Sequence, residues 1–414
     1  MKLSRFGRVS LAFVVSVAIG LGMTACGQGT IGFMWVLGTQ YNQIAGFKID
    51  HNTGNLTAIP KTPFPSGGTN PVSIAVKSGG RFVYVVNQGA PAVGTTTPAV
   101  AGNIAAFSVG NDGVLTFQQS YSSQGSTPVW AVTDSAGNFL YVLDQVAPDG
   151  SGNGSITVFA IDSTTGRLQL VPNQQVKDVN GTQLTYFPVG PQPTMMRFSG
   201  AGCLYTINTG DQTVFPYSVG TAGQLSLTTN STITTGAKQL TSISSNGNFV
   251  YLTDAGPTTD SPGGFILPYT SGTGCALNTV TGGAVANLPG TSNPVYSMTD
   301  SQGLFLYVVN KSSTTSTSPA TSSISAFSIV DTTTGKLQPI TAGSTENPYA
   351  VGAGPTCMVE DPSFQYIYTS NNIDGTVTGK QINKKTGQLS DLQRGSKFPA
   401  TGQATCLAVS GNVS

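Results

Sequence analysis

FVYVVN at 82–87, FLYVLD at 139–144, CLYTIN at 203–208, FVYLTD at 249–254, FLYVVN at 305–310 and YIYTSN at 366–371 are six versions of one phrase. They recur every ~45–65 residues, the spacing of repeated supersecondary units. Around the first of them lie three more segments of the same kind. NPVSIAV at 70–76 leads through an SGG turn into RFVYVVN at 81–87, and NIAAFSV at 103–109 leads through NDG into VLTFQ at 114–118. Each segment is short, β-branched or aromatic, and bounded by Gly, Asn or Asp, so each reads as a strand and the unit as four strands. The unit returns at 127–170, 193–228, 239–280, 293–340 and 355–392. Strands three and four are joined by STTGRL at 163–168, TTTGKL at 332–337 and KKTGQL at 384–389. Glycine two residues before the leucine fits a turn that needs positive φ.

The two ends of the chain complete the count. Residues 33–59 (FMWVLGT, QIAGFKI, HNTGNLTAI) supply strands two, three and four of a unit without its first strand, and ATCLAVSGN at 404–412 matches that missing strand. Six whole units and one shared unit predict an all-β, seven-bladed propeller over 31–414. Its blades are four-stranded and antiparallel, and the C-terminal strand completes the N-terminal blade. Closure of this kind protects sheet edges. A pair of β-sandwich domains would need a linker and a change of pattern near the middle, and the sequence has neither. The insertions at 88–102, 145–154 and 311–322 all follow strand two, so they are expected on one face, where repeat proteins often place binding loops.

Composition narrows the function classes. Charged residues are 8% of the chain, against about a quarter in ordinary globular proteins. Apolar residues are 38%, too many for disorder. The net charge of +1 steers the chain toward neither nucleic acid nor an anionic surface. A single histidine, His51, argues against multi-histidine metal sites and leaves little material for a Ser–His–Asp arrangement. No cofactor is expected.

The N-terminus reads as an address. Lys2, Arg5 and Arg8 precede an apolar run from Leu11 to Met23, which is shorter than a membrane span and is followed by Met23-Thr24-Ala25-Cys26. The pattern resembles a bacterial lipobox. It implies a signal peptide over 1–25, lipid attachment at Cys26, a tether over 26–30, and a monomer held to the outer membrane or cell surface by its lipid alone. Gly27 is not the Asp that retains many such proteins in the inner membrane.

The phrases P-x-x-x-A-V, F-x-Y-V-x-N and T-G-x-L resemble those of the seven-bladed lactonase family, which includes propeller-type 6-phosphogluconolactonases and carboxy-cis,cis-muconate cyclases, and the repeats of YVTN-type surface propellers. The resemblance implies the fold over most of 31–414 and, as an expectation, hydrolysis of a sugar lactone. That family carries a Gly-Pro-Arg-His phrase at the start of an inner strand. The matching stretch here is GPQPTMMRF at 190–198. Aligning Pro191 puts Gln192 and Pro193 at the Arg and His positions; aligning Pro193 puts Thr194 and Met195 there. Neither restores the pair.

Several residues are candidates for a site. Asn87, Asp144, Asn208, Asp254, Asn310 and Asn371 end strand two of successive blades and would form a polar ring, able to hold a ligand or to cap a turn. Repetition in every blade favours the cap. Arg197 stands where inner strands carry a small or apolar residue, such as Ala75, Ala131 and Met298, and could hold a carboxylate or phosphate, or pair with an Asp of another blade. Glu360, ending TCMVE, is a candidate general base if it faces the channel, but it adjoins a turn and reads as solvated. His51 lies in a peripheral hairpin, and Asp134, Asp300 and Asp361 read as turn residues. Cys357 and Cys406 share one inner-strand position in adjacent blades. Cys203 opens a second strand, and Cys275 lies in a turn of the next blade on the same face. Two disulfides, 357–406 and 203–275, are expected, with four buried thiols as the alternative. The leading functional expectation is an envelope-anchored binding or scaffold module whose loops on one face take a small carbohydrate, a lactone or an envelope protein. Sugar-lactone hydrolysis is the alternative.

Overall fold

A computed structural model describes residues 29–411 apart from 96, 178–179, 201, 228–232, 259–260, 281, 313–321, 332 and 342–346. The signal-peptide and lipid-attachment expectations, Cys26 included, lie outside these residues. Seven antiparallel sheets form the molecule. Their innermost strands are Ala404–Gly411, Pro71–Val76, Ser126–Thr133, Pro193–Phe198, Leu240–Asn246, Pro294–Thr299 and Pro355–Glu360. These define blades one to seven. Each inner strand touches the next, and the seventh returns to the first, so the ring is closed. In blade one, Thr30–Gly38 pairs on one side with Gln43–Asp50 and on the other with Ala404–Gly411, where Trp35 faces Ala408. The chain's tail therefore supplies the strand that its head lacks.

In six of the seven sheets a short fifth segment, such as Phe187–Pro191 or Lys397–Pro399, pairs with the third strand beside the fourth. The sequence reading of four strands per blade missed these segments, because they are two to five residues long. Too few residues remain to show a period.

One contact, repeated round the ring, explains the recurring aromatic phrase. The second-strand tyrosine is buried and donates its hydroxyl to the carbonyl of the turn glycine in the next blade: Tyr84 to Gly166 at 2.9 Å, Tyr141 to Gly223 at 3.3 Å, Tyr251 to Gly335 at 3.0 Å, Tyr307 to Gly387 at 3.0 Å and Tyr368 to Gly54 at 2.5 Å. Trp35 makes the same bond from its indole nitrogen to Gly113, at 3.1 Å. Two residues earlier, an aromatic ring lies flat against the same glycine. A Cβ on Gly166 would meet Phe82 at 2.3 Å, and one on Gly387 would meet Phe305 at 2.4 Å. The glycine is needed both for its positive φ, 68° at Gly166 and 70° at Gly387, and for this approach.

Blade four departs from the pattern in a way that accounts for one disulfide. Cys203 occupies the aromatic position and Cys275 the glycine position, with a φ of 63°. The two are bonded, with Cα atoms 5.6 Å apart. Tyr205 meets the Ser271 hydroxyl at 2.6 Å in place of a turn carbonyl. The second disulfide, Cys357–Cys406, ties the inner strand of blade seven to the closing strand, with Cα atoms 5.1 Å apart. These are the two pairings that the repeat register suggests.

Candidate functional site

The inner strands set the site. Each begins at one mouth of the ring, paired with the end of its blade's second strand: Pro71 faces Asn87, Pro128 faces Asp144, Pro193 faces Asn208, Leu240 faces Asp254, Pro294 faces Asn310 and Pro355 faces Asn371. A bulge follows at this point in every blade and re-aims the residues behind it. The strand then runs to the opposite mouth and turns back.

The polar ring lies at the first mouth and is wholly buried. Its side chains hold the adjoining loops and third strands. Asn87 donates to the Ser66 carbonyl at 3.1 Å, Asn208 to the Thr213 hydroxyl at 3.1 Å, Asn310 to the Ser325 hydroxyl at 2.8 Å and Asn371 to the Thr378 hydroxyl at 2.9 Å. Asp254 accepts from the backbone N–H groups of Lys238, Gln239 and Gly256. Asp144 accepts from the hydroxyls of Ser123 at 2.5 Å and Thr157 at 3.2 Å, and its burial pushes the carboxyl up to about 7. The insertions at 88–102 and 145–154 rise from this mouth. Beside the first is a recess of about 680 Å3, lined by neutral residues including Asn70, Gln88, Pro91, Ser123 and Thr127. Most of the 311–322 insertion is outside the described residues.

The central channel, a cavity of about 500 Å3, is lined by all seven inner strands toward the second mouth. Arg197 and Glu360 are the charged side chains among its lining residues. Cross-strand register fixes their positions. Arg197 faces Tyr205, the place held by Ala75, Val132, Ser244, Met298, Val359 and Ala408 in the other blades. The comparison with Ala131 is corrected to Val132. In sequence the two neighbours are equally small and apolar, and only the pairing of Val132 with Tyr141 separates them.

The Arg197 guanidinium lies 5.5 Å from the ring centroids of both Trp130 and Tyr296, and it donates to the Tyr296 hydroxyl. It has no salt bridge: the ion pairs among the described residues are Lys380–Asp391 and Lys397–Asp374. The expected alternative, an Asp partner from another blade, is therefore not what the structure holds. Glu360 is half-buried in the channel wall rather than solvated. It accepts a hydrogen bond from the Ser301 backbone N–H at 2.9 Å. Burial, reinforced by the charges of Asp300 and Asp361, pushes its carboxyl up to about 7 against that hydrogen bond. Arg197 and Glu360 thus share one cavity, and they stand at the mouth opposite the insertions and the polar ring.

His51 is exposed in its hairpin. Asp134, Asp300 and Asp361 each accept from backbone N–H groups within their own turns. Among the described residues no three His, Cys, Asp or Glu side chains converge as metal ligands, and no helix is long and apolar enough to cross a membrane.

The structure gives GPQPTMMRF its register within the repeat. Pro193 pairs with Asn208 as Pro71 pairs with Asn87. Gln192 before it has a φ of 49°, like Asn70 at 59° and Asn293 at 49° before their prolines. With Pro193 as the repeat's proline, Thr194 and Met195 are the residues that the resemblance sets against the Arg and His of the lactonase phrase. Met195 is buried in the core, and the Thr194 hydroxyl is buried without a partner.

Fold and channel define a seven-bladed β-propeller with a nearly uncharged inner ring. More narrowly, residues 30–184 match the family described as Lactonase, 7-bladed beta-propeller, which bears out the resemblance read from the repeat phrases. No curated protein matches the sequence at a significant level. Among solved structures, a candidate 6-phosphogluconolactonase of Bacteroides fragilis superposes with a TM-score of 0.66 at 17% identity, covering 92% of this chain and 98% of that one. A periplasmic gluconolactonase of Pseudomonas aeruginosa gives 0.65 at 15% identity, covering 93% and 100%. A protein from Lactobacillus plantarum gives 0.65 at 19% identity, covering 92% and 100%. At such identities the likeness is one of fold.

Proposed function

We propose that this protein is an extracytoplasmic lactonase-type propeller, anchored by a lipid on Cys26, that binds a small carbohydrate or lactone without turning it over. The observation that carries this reading is the pair Thr194 and Met195. Where the lactonase phrase has an arginine and a histidine, this chain has a hydroxyl with no charge and a thioether with no proton to move, so these two positions supply neither base nor cation. Two disulfides suit an oxidising compartment outside the cytoplasm. The recess beside the 88–102 insertion offers a neutral surface for a sugar or for another envelope protein. The test is to incubate the purified protein with glucono-1,5-lactone and follow acid release and binding heat together. The expected result is heat without acid release above the spontaneous rate, and heat that falls when the 88–102 insertion is shortened. Acid release proportional to enzyme would overturn it.

One observation favours hydrolysis as a second reading. Glu360 titrates near neutrality in the same cavity as Arg197, the protonation range of a general base, with a cation to stabilise developing negative charge. That reading predicts turnover lost in both Arg197→Ala and Glu360→Gln.

A further inference from the structure

The inner ring treats Arg197 as an exception that needs a reason. Six blades fill its position with Ala, Val, Ser or Met, so the fold itself does not require a cation there. A half-buried guanidinium without a carboxylate costs solvation free energy that something must offset. Two aromatic rings, themselves in contact with centroids 6.4 Å apart, crowd one side of it, and one of its nitrogens donates to Tyr296. Arg197 lines the cavity, and its other in-plane N–H donors keep the fork that receives a carboxylate through two parallel hydrogen bonds.

Hydroxyls lining the same cavity narrow the ligand further. Ser245 donates to the Phe198 carbonyl, Thr299 to the Ser245 carbonyl at 3.0 Å, and Thr133 to the Val76 carbonyl at 3.2 Å. With their protons committed to backbone, these three oxygens offer lone pairs to the cavity. Lone pairs call for a ligand that carries O–H donors. The cavity's volume of about 500 Å3 suits a single sugar-sized molecule.

We infer that the turn-side mouth of the channel binds a small hydroxylated carboxylate, a sugar acid, with the Arg197 fork on its carboxylate and the wall hydroxyls accepting from its own. This rests on the reading of the protein as a ligand-binding propeller and adds an anionic ligand class at the mouth opposite the 88–102 recess. Glu360 lies in the same wall, faced by Ser301 and flanked by Asp300, Asp361 and Tyr307. While protonated it does not repel the bound anion, and once ionised it does.

Trp130 makes the site measurable. The chain has two tryptophans, and the other, Trp35 of blade one, is buried against Gly113 of blade two. The intact protein is titrated with D-gluconate and D-glucuronate, with D-glucose as the neutral control, following tryptophan emission and binding heat at pH 6. Both acids should give a saturable change and glucose none. Arg197→Ala should weaken the acids at least tenfold, and Arg197→Lys, which keeps the charge but not the fork, should weaken them less. Glu360→Gln should lose the parent's decline in acid affinity between pH 6 and pH 8. Equal binding of glucose and gluconate, or undiminished gluconate binding by a folded Arg197→Ala, overturns the sugar-acid site and leaves the ligand-binding reading standing. No binding of any of these probes or of the lactone overturns both. Turnover of the lactone with gluconate still bound through Arg197 overturns only the non-catalytic reading.

Discussion

Replacing Cys203 by Phe and Cys275 by Gly in the same chain should give back most of the stability that the lost disulfide supplied. The bond closes a stretch of 72 residues. The chain-entropy relation assigns such a loop about 4 kcal/mol, so Cys203→Ser with Cys275→Ser should lose roughly that much. Six other blade junctions show what the same two positions hold without a covalent link: an aromatic ring lying on a glycine with positive φ, as with Phe82 on Gly166 or Phe305 on Gly387. Burying the new phenylalanine contributes about 1.5–3 kcal/mol. Removing a Cβ from a residue at a φ of 63° relieves about 1–2 kcal/mol, of which the added freedom of glycine in the unfolded chain takes back about 0.5–1. The Phe–Gly pair should therefore recover about 2–4 kcal/mol over the Ser–Ser pair. Urea unfolding at pH 7 without reductant, followed by circular dichroism, measures both variants against the parent. If the Phe–Gly protein unfolds at the same urea concentration as the Ser–Ser protein, the equivalence of this disulfide with the aromatic–glycine contact is wrong, and with it the register of blades four and five.

Three further outcomes follow from single contacts. Tyr307→Phe leaves the Gly387 carbonyl without its donor at a buried junction and should cost about 1–2 kcal/mol in urea unfolding, while Tyr205→Phe should cost less because the Ser271 hydroxyl can turn to another acceptor. Asp144 has a folded-state carboxyl raised to about 7 from 3.8, so the parent loses stability as pH rises through that window and stays lower above it. Asp144→Asn, carrying the amide of Asn87 or Asn371, should make that slope shallower in urea midpoints compared at pH 4 and pH 8, the remainder coming from Glu360. Truncation before Ala404 strips Thr30–Gly38 of its inner partner and opens the ring; the product should run in the aggregated fraction on size exclusion rather than as a compact monomer.

Much of this molecule is legible in its sequence because the fold repeats. Six copies of an aromatic phrase fixed the second strands, and an incomplete unit at the head with a spare strand at the tail pointed to ring closure. The disulfide pairs were legible for the same reason, since position within a repeat stands for position in space. What the repeat could not convey was contact between blades. Tyr84 finds Gly166, and Tyr307 finds Gly387, 80 to 82 residues away, and nothing local marks the partner. The register of Pro193 was open because two prolines lie two residues apart, and only backbone pairing tells them apart. The candidate site was legible in part. Arg197 stood out as a charge on an apolar strand. Its two aromatic neighbours come from blades three and six, and no spacing in the sequence announces that they meet across the channel. Glu360 reads as solvated because it adjoins a turn, yet the curve of the ring brings that turn inward, where burial raises its carboxyl.

The measurement closest to the centre of this account is mass-spectrometric mapping of disulfide-linked peptides from the unreduced protein. The ring and its register predict Cys203 joined to Cys275 and Cys357 joined to Cys406, the second bond carrying the closing strand to blade seven. A link between Cys203 and Cys357, or between Cys275 and Cys406, would contradict the order of blades on which the channel, its arginine and its proposed ligand depend.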